Sequence, residues 1–223
     1  DGNIFKGLKG GTATSREGLI ITAESFEYNK ALNILNALGD VIIEDKINKQ
    51  IIYADKITYL KDDEKIITKG KTKAIIESNY NFISSDVIFF REKMILISEK
   101  KSSVTDKNLN LYKLDNFEYS IQQKILKANN IIITTNYTKT KEHRDTYKFK
   151  SGFFNLESKN FTAQDTEISV KKNIFDNTDN DPRIKGVSSK KKGDITKINK
   201  AIFTSCKKND KCPPWSIKAS EIA

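Results

Sequence analysis

Few residues in this chain have the type and spacing to do covalent or metal chemistry. The single histidine, His143, sits in the polar stretch "TKTKEHRDTYK", where no apolar neighbour pockets the imidazole. It reads as a surface residue rather than a general base. The two cysteines, Cys206 and Cys212, have the wrong spacing for a zinc knuckle or a redox C-x-x-C pair, and no further ligands stand near them. Neither a nucleophile elbow nor a Gly-rich phosphate loop occurs. Four carboxylates, Glu24, Asp55, Asp86 and Asp115, recur at nearly equal steps. Such a series makes an acidic ladder, but the solvated rim of stacked strands shows the same spacing. The expectation is a chain that is not an enzyme and uses no cofactor or metal.

Composition narrows the partners. The net charge of +10 invites a nucleic-acid reading, since clustered cations release counterions from a phosphate backbone. Nearly all of the 39 basic residues are Lys, however, whereas base readout and phosphate clamping favour the planar guanidinium. The abundance of Ile and Asn points to AT-rich codons, which makes much of the Lys content background. Nucleic acid is therefore not expected, while a general attraction to anionic partners, phosphorylated glycolipids included, is. The longest apolar runs, "DVIFF" and "MILI", fall far short of the roughly 20 residues of a membrane-spanning helix. The chain begins "DGNIF" without an initiating Met, so a processed N-terminus is expected.

The elements that must carry these residues are strands. Only "ESFEYNKALNILNALGD" has a plausible helical pattern, and its first half alternates like a strand. Elsewhere short β-branched and aromatic runs are separated by polar turns such as "DKINKQ" and "KDDEK", close enough together to require hairpins. The expected fold is an all-β antiparallel roll or jellyroll of about twelve to sixteen strands with at most one short helix. A repeat sharpens this: Glu24-x-Phe26-x-Tyr28, Asp55-x-Ile57-x-Tyr59, Asp86-x-Ile88-x-Phe90 and Asp115-x-Phe117-x-Tyr119 follow at steps of 31, 31 and 29 residues. Gly39 and Gly70 repeat at 31 as well. Because strand side chains alternate, Phe26, Tyr28, Ile57, Tyr59, Ile88, Phe90, Phe117 and Tyr119 are expected to face one apolar interior. That interior is either an ordinary filled core or a trough for something long and greasy.

The roughly 30-residue repeat, closed by "FTSCKKNDKCPPWSIKASEI", resembles the N-terminal periplasmic domain of the LPS-assembly outer-membrane family LptD, the organic solvent tolerance proteins. The repeats "YADKITY" (53–59) and "ALGDVIIE" (37–44) are similar to those that this domain shares with LptA-like soluble bridge proteins, which form slotted β-rolls. Thr204, Ser205, Cys206, Trp215, Ser216, Ile217 and Ala219 follow the order found in the outer-membrane members just before their barrel.

The resemblance implies a roll over 1–205 with an open apolar slot, then a cysteine-containing linker and first strand over 206–223 leading into a C-terminal β-barrel. It implies lipopolysaccharide as ligand, with the eight inward residues lining the slot, and location at the periplasmic face of a Gram-negative outer membrane. An LptA-like bridge stacked edge to edge and, through the barrel, an LptE-like lipoprotein plug are the implied protein partners. In that family disulfides tie the domain to the barrel, a link that needs an oxidising compartment. Cys212 departs from the family pattern, which leaves three outcomes open: a local Cys206–Cys212 bond, pairing with the barrel, or free thiols. The alternatives for the whole chain are a soluble LptA-like bridge protein and a β-solenoid scaffold or adhesin whose interior is simply filled.

Overall fold

The computed structural model describes residues 2–16, 18–175, 180–207 and 215–223. Within them the chain is antiparallel β throughout, with two isolated 3-10 turns, Lys141–His143 and Lys172–Phe175, and no α-helix. The strands are Ile4–Gly7 (β1), Gly11–Thr14 (β2), Leu19–Ala23 (β3), Ser25–Asn29 (β4), Ile34–Asp45 (β5), Gln50–Leu60 (β6), Lys65–Ile76 (β7), Tyr80–Ser85 (β8), Ile88–Phe90 (β9) and Ile95–Ser98 (β10). They continue with Ser102–Asp106 (β11), Leu111–Leu114 (β12), Asn116–Ser120 (β13), Ile125–Thr134 (β14), Thr146–Asn155 (β15), Phe161–Ser169 (β16), Arg183–Lys192 (β17), Ile195–Thr204 (β18) and Ile217–Ile222 (β19). The window with helical periodicity is the β4–β5 hairpin, because its apolar residues find cross-strand partners such as Tyr28 opposite Leu35. There are more strands than the sequence spacing predicts, because several legs of the chain are cut in two where they turn a corner. The chain divides into two compact units, Asp1–Val104 with Asn116–Gln122, and Thr105–Asp115 with Gln123–Ala223.

In the first unit each long strand bends once and gives one arm to each of two walls. β6 pairs with β5 along both arms, 56–60 against 34–38 and 50–54 against 41–45, with a register shift between them. Burial along β6 alternates, breaks at the adjacent exposed residues Asp55 and Lys56, and resumes. That double outward step is how a strand changes walls while keeping its apolar side inward. Gly39 and Gly70 stand at these corners with φ of 82° and 78°, and a Cβ on Gly39 would lie 2.2 Å from the Glu24 carboxylate. Left-handed backbone pressed against a neighbouring strand explains both glycines. The repeat carboxylates stand at the same corners, and none of the four is buried.

The structural repeat differs slightly from the one counted on carboxylates. The residues that turn inward before and after the corner are Ala23 and Phe26, Ala54 and Ile57, Ser84 and Val87, Leu114 and Phe117, at steps of 31, 30 and 30. The left-handed turn residues Asn33, Glu64, Met94 and Lys124 keep the same steps. In the first unit successive turns are joined by one recurring backbone bond, Lys61 N to Asn33 O, Arg91 N to Glu64 O and Ile121 N to Met94 O, at 2.9–3.1 Å. In three repeats the carboxylate takes the first of the two outward corner positions. Asp86 takes the second, at φ 51°, where its carboxylate accepts the Gly70 N–H at 3.1 Å.

The second unit is a meander, β14 through β19, each strand paired in register with the next, with β12 alongside β14. Its interior holds Phe149, Phe154 and Phe161, with ring centroids 5.2–5.5 Å apart. Farther along, Ile168, Ile198 and Ala201 pack with Tyr147, Val170, Ile184 and Ile222.

Candidate functional site

An opening into an apolar interior lies at the N-terminal end of the first unit. There a cavity of about 550 Å³ lies between a wall that holds β4 and its partner β1 and a wall that holds β3 and its partner β2. Leu19, Ile21, Phe26, Tyr28, Leu35 and Tyr59 supply its apolar wall, and Phe5 stacks on Tyr28 at 6.5 Å. It stays open because β2, built of Gly11, Thr12, Ala13 and Thr14, brings no large side chain to the wall that faces Phe26. Lys6 and Lys61 stand on its lining, and Lys6 pairs with Glu27 at 3.1 Å.

The eight residues expected to face inward separate into three groups. Phe26, Tyr28 and Tyr59 line the cavity. Ile57, Phe117 and Tyr119 are fully buried in the unit's core, where Phe82 packs on Phe117 at 5.4 Å and on Tyr119 at 4.9 Å. Ile88 and Phe90 do not face the interior: Val87 and Phe89, at 2% and 1% exposed, take those places. The cause is the displaced Asp86, since counting two residues on from it lands one position out of register, and a one-residue slip reverses every side chain. Ile88 lies outside between Ile67 and Ile97, and the Lys65 and Lys93 ammonium groups lie 5.3 and 5.8 Å from the Phe90 ring centroid. Leu19, Ile21, Leu35 and Phe5 were missed as lining residues. The alternation in "LIIT" marks the first two, whereas β1 is too short to show any period.

Beyond the cavity the tips of the two walls meet. Asp45, at the end of one arm, accepts two bonds from the Arg91 guanidinium at 3.1 and 3.3 Å, and Arg91 also holds Glu64, which takes the Tyr59 hydroxyl at 2.5 Å. Gln50 donates to the Met94 sulfur beside them. Burial pushes the Tyr59 phenol well above its ordinary value, and the Glu64 carboxylate that accepts its proton adds to the shift. Burial works against the Arg91 charge, but the bond to Asp45 and the charges of Glu64 and Asp45 outweigh it and raise the guanidinium further. An Arg placed among so many Lys was the available signal, because a buried fork needs the planar cation.

The second unit carries a parallel arrangement at Asp106. Its carboxylate accepts Asn108 N, Asn110 N and Asn110 Nδ2 and pairs with Lys159. Burial alone would raise its pKa, yet these bonds hold it below the ordinary 3.8. A smaller cavity of about 160 Å³ lies beside it, lined by Tyr112, Ile133, Tyr147, Phe154 and Phe161. The Tyr147 phenol is pushed up to about 12 by burial and the nearby Asp145. His143 is exposed, and its Nδ1 lies 2.9 Å from the Thr140 hydroxyl.

The closing motif is brought together locally. Thr204 Oγ1 donates to Trp215 O at 2.9 Å and accepts the Cys206 N–H, the buried Cys206 thiol lies 3.7 Å from the same carbonyl, and Trp215 packs on Phe203 at 5.8 Å. β19 then runs back along β18, Ile217 opposite Phe203 and Ala219 opposite Ala201. Cys212, Pro213 and Pro214 lie outside the described residues, so the expected pairing of Cys212 has no structural counterpart to report.

No family model matches the chain, and no curated protein matches it. Among solved structures, LptH of Pseudomonas aeruginosa, described as the LptA-homologous periplasmic component of the lipopolysaccharide transport device, superposes with a TM-score of 0.47 and 13% identity. The overlap takes in 51% of this chain and 82% of that one.

Proposed function

We propose that the chain is a lipid conduit in lipopolysaccharide transport, in which the N-terminal cavity of the first unit holds acyl chain. The observation that supports this most is the cavity itself: about 550 Å³ of apolar-walled space, in the size range of small-molecule sites, at the end of a unit whose rings pack closely around Phe82. Each methylene moved from water onto such a wall contributes about 0.8 kcal/mol. Lys61 at the lining places positive charge where the phosphoryl groups of an anionic glycolipid emerge.

The similarity of the repeats and of the Thr204–Cys206 and Trp215–Ala219 residues to the LptD family supports the finer reading. On it this is the periplasmic domain of an outer-membrane LPS assembly protein, served by an LptA-like bridge and followed by a barrel that an LptE-like lipoprotein plugs. At least one of Cys206 and Cys212 then pairs with a barrel cysteine, which non-reducing peptide mapping of the full-length protein from outer membranes tests. A bond joining only Cys206 to Cys212 in active protein would exclude it.

The central test is photo-crosslinking to lipopolysaccharide during transport. Probes at Phe26 and Tyr28 should capture lipid, and probes at Ile88 and Phe90 should not. No capture at any cavity position would leave the filled-scaffold reading in its place.

A further inference from the structure

The outer face of one arm of the second unit concentrates positive charge and exposed apolar side chains, independently of the cavity. Register aligns Lys127, Phe153, Thr162, Lys190 and Lys197 across five consecutive strands. Two residues along, on the same face, Ile125 stands opposite Asn155 and Lys192 opposite Ile195. Phe153 is 54% exposed and Ile195 60%, and the Lys127 ammonium lies 6.0 Å from the Phe153 centroid. A shallow hollow of about 370 Å³ runs between Ile125, Phe153, Thr162 and Lys190–Lys192. Glu221 is the one carboxylate that register places on this face, and Lys197 holds it at 2.9 Å. Among the described residues, Lys127, Lys190 and Lys192, which share this face, have no carboxylate within ion-pair distance.

On the other arm of the same unit Lys148 and Lys185 share Glu167, at 3.8 and 3.2 Å, and Lys113 and Lys218 end the same register row opposite Ile132 and Ile202. The lysines around Phe153 differ from Lys148 and Lys185 in having no carboxylate to share among the described residues.

We propose that this face docks on an anionic, phosphate-bearing lipid surface. Flexible lysine stems carry their ammonium groups to headgroup phosphates, while Phe153, Ile125 and Ile195 rest in the interfacial layer. A nucleic-acid partner fits less well: the face is open rather than grooved, and it presents no Arg for phosphate or base recognition.

The test is co-sedimentation of the full chain with phosphatidylcholine vesicles containing or lacking about one third phosphatidylglycerol. Binding is expected only to the anionic vesicles. It should fall about tenfold or more in K127Q/K190Q/K192Q, given that each lysine near such a surface contributes substantially, and severalfold in F153A, an exposed position whose truncation spares the fold. The control K148Q/K185Q should bind like the wild type. Equal binding to neutral vesicles, retention in the triple variant, or an equal loss in the control overturns the proposal. So does an oligonucleotide bound through Phe153 by a chain that ignores the vesicles.

Discussion

The two ends of the first unit's interior are built on one repeat, yet one is open and the other is filled. Around Phe82 the inward positions hold Tyr80, Phe89, Phe117 and Tyr119, all buried, and the wall tips are joined through Arg91 and Asp45. Around Phe26 the facing strands offer Gly11, Thr12 and Ala13, and no charged bridge joins the tips that carry Ser15 and Lys61 among the described residues. The corners, turns and backbone bonds are shared. What differs is side-chain volume on the facing strand and whether a paired charge closes the mouth, so a slot and a core here are alternative fillings of the same backbone.

The contrast breaks most completely where register is tested. Phe89→Asp buries an unpaired carboxylate and should leave no cooperative unfolding transition, whereas Phe90→Asp, on the outer face beside Lys65 and Lys93, should fold. Urea melts of both variants decide it, and equal tolerance would mean the inward and outward sets are reversed.

Next in size is the difference in filling. Phe82→Ala should cost about 3–5 kcal/mol because it leaves a void among packed rings, and Phe26→Ala, facing space already open, well under half of that. Equal losses in chemical denaturation would show that the N-terminal end is packed like the rest.

The mouth closure gives a comparable single-site effect with a built-in rescue. Arg91→Met strands the Asp45 carboxylate and should cost about 3–5 kcal/mol, while the double replacement with Asp45→Leu should recover most of it. A double-mutant cycle on thermal unfolding measures the coupling, and additive losses would remove the pairing from the account.

A smaller effect separates the Asp106 site by pH. Its folded pKa is depressed, so its stabilisation is present above the unfolded value of 3.8 and lost as pH falls through the lower folded value. Acid titration of wild type against D106N should therefore show their stabilities converging below about pH 4. Curves that stay parallel through that range would mean that Asp106 is not held by Lys159 and Asn110.

How much of this was legible beforehand depends on distance along the chain. Alternation of apolar residues, the polar turns and the glycine spacing are local, and they specified antiparallel hairpins, the repeat and the inward placement of Ile57, Tyr59, Phe117 and Tyr119. The third repeat misled because a corner offers two outward positions. A carboxylate satisfies either one, so composition cannot tell which Asp86 occupies, and Ile88 and Phe90 were carried to the wrong face. Whether an inward row encloses space depends on residues 15 to 46 positions away on the opposite wall. Nothing in Phe26 or Tyr28 announces that Gly11 and Ala13 face them, nor does Arg91 announce Asp45. By itself, then, the sequence determined strands, turns and the period, because these follow from a residue and its near neighbours. Tertiary structure alone decided which inward faces meet side chains and which meet empty volume, since packing is a property of the walls brought together.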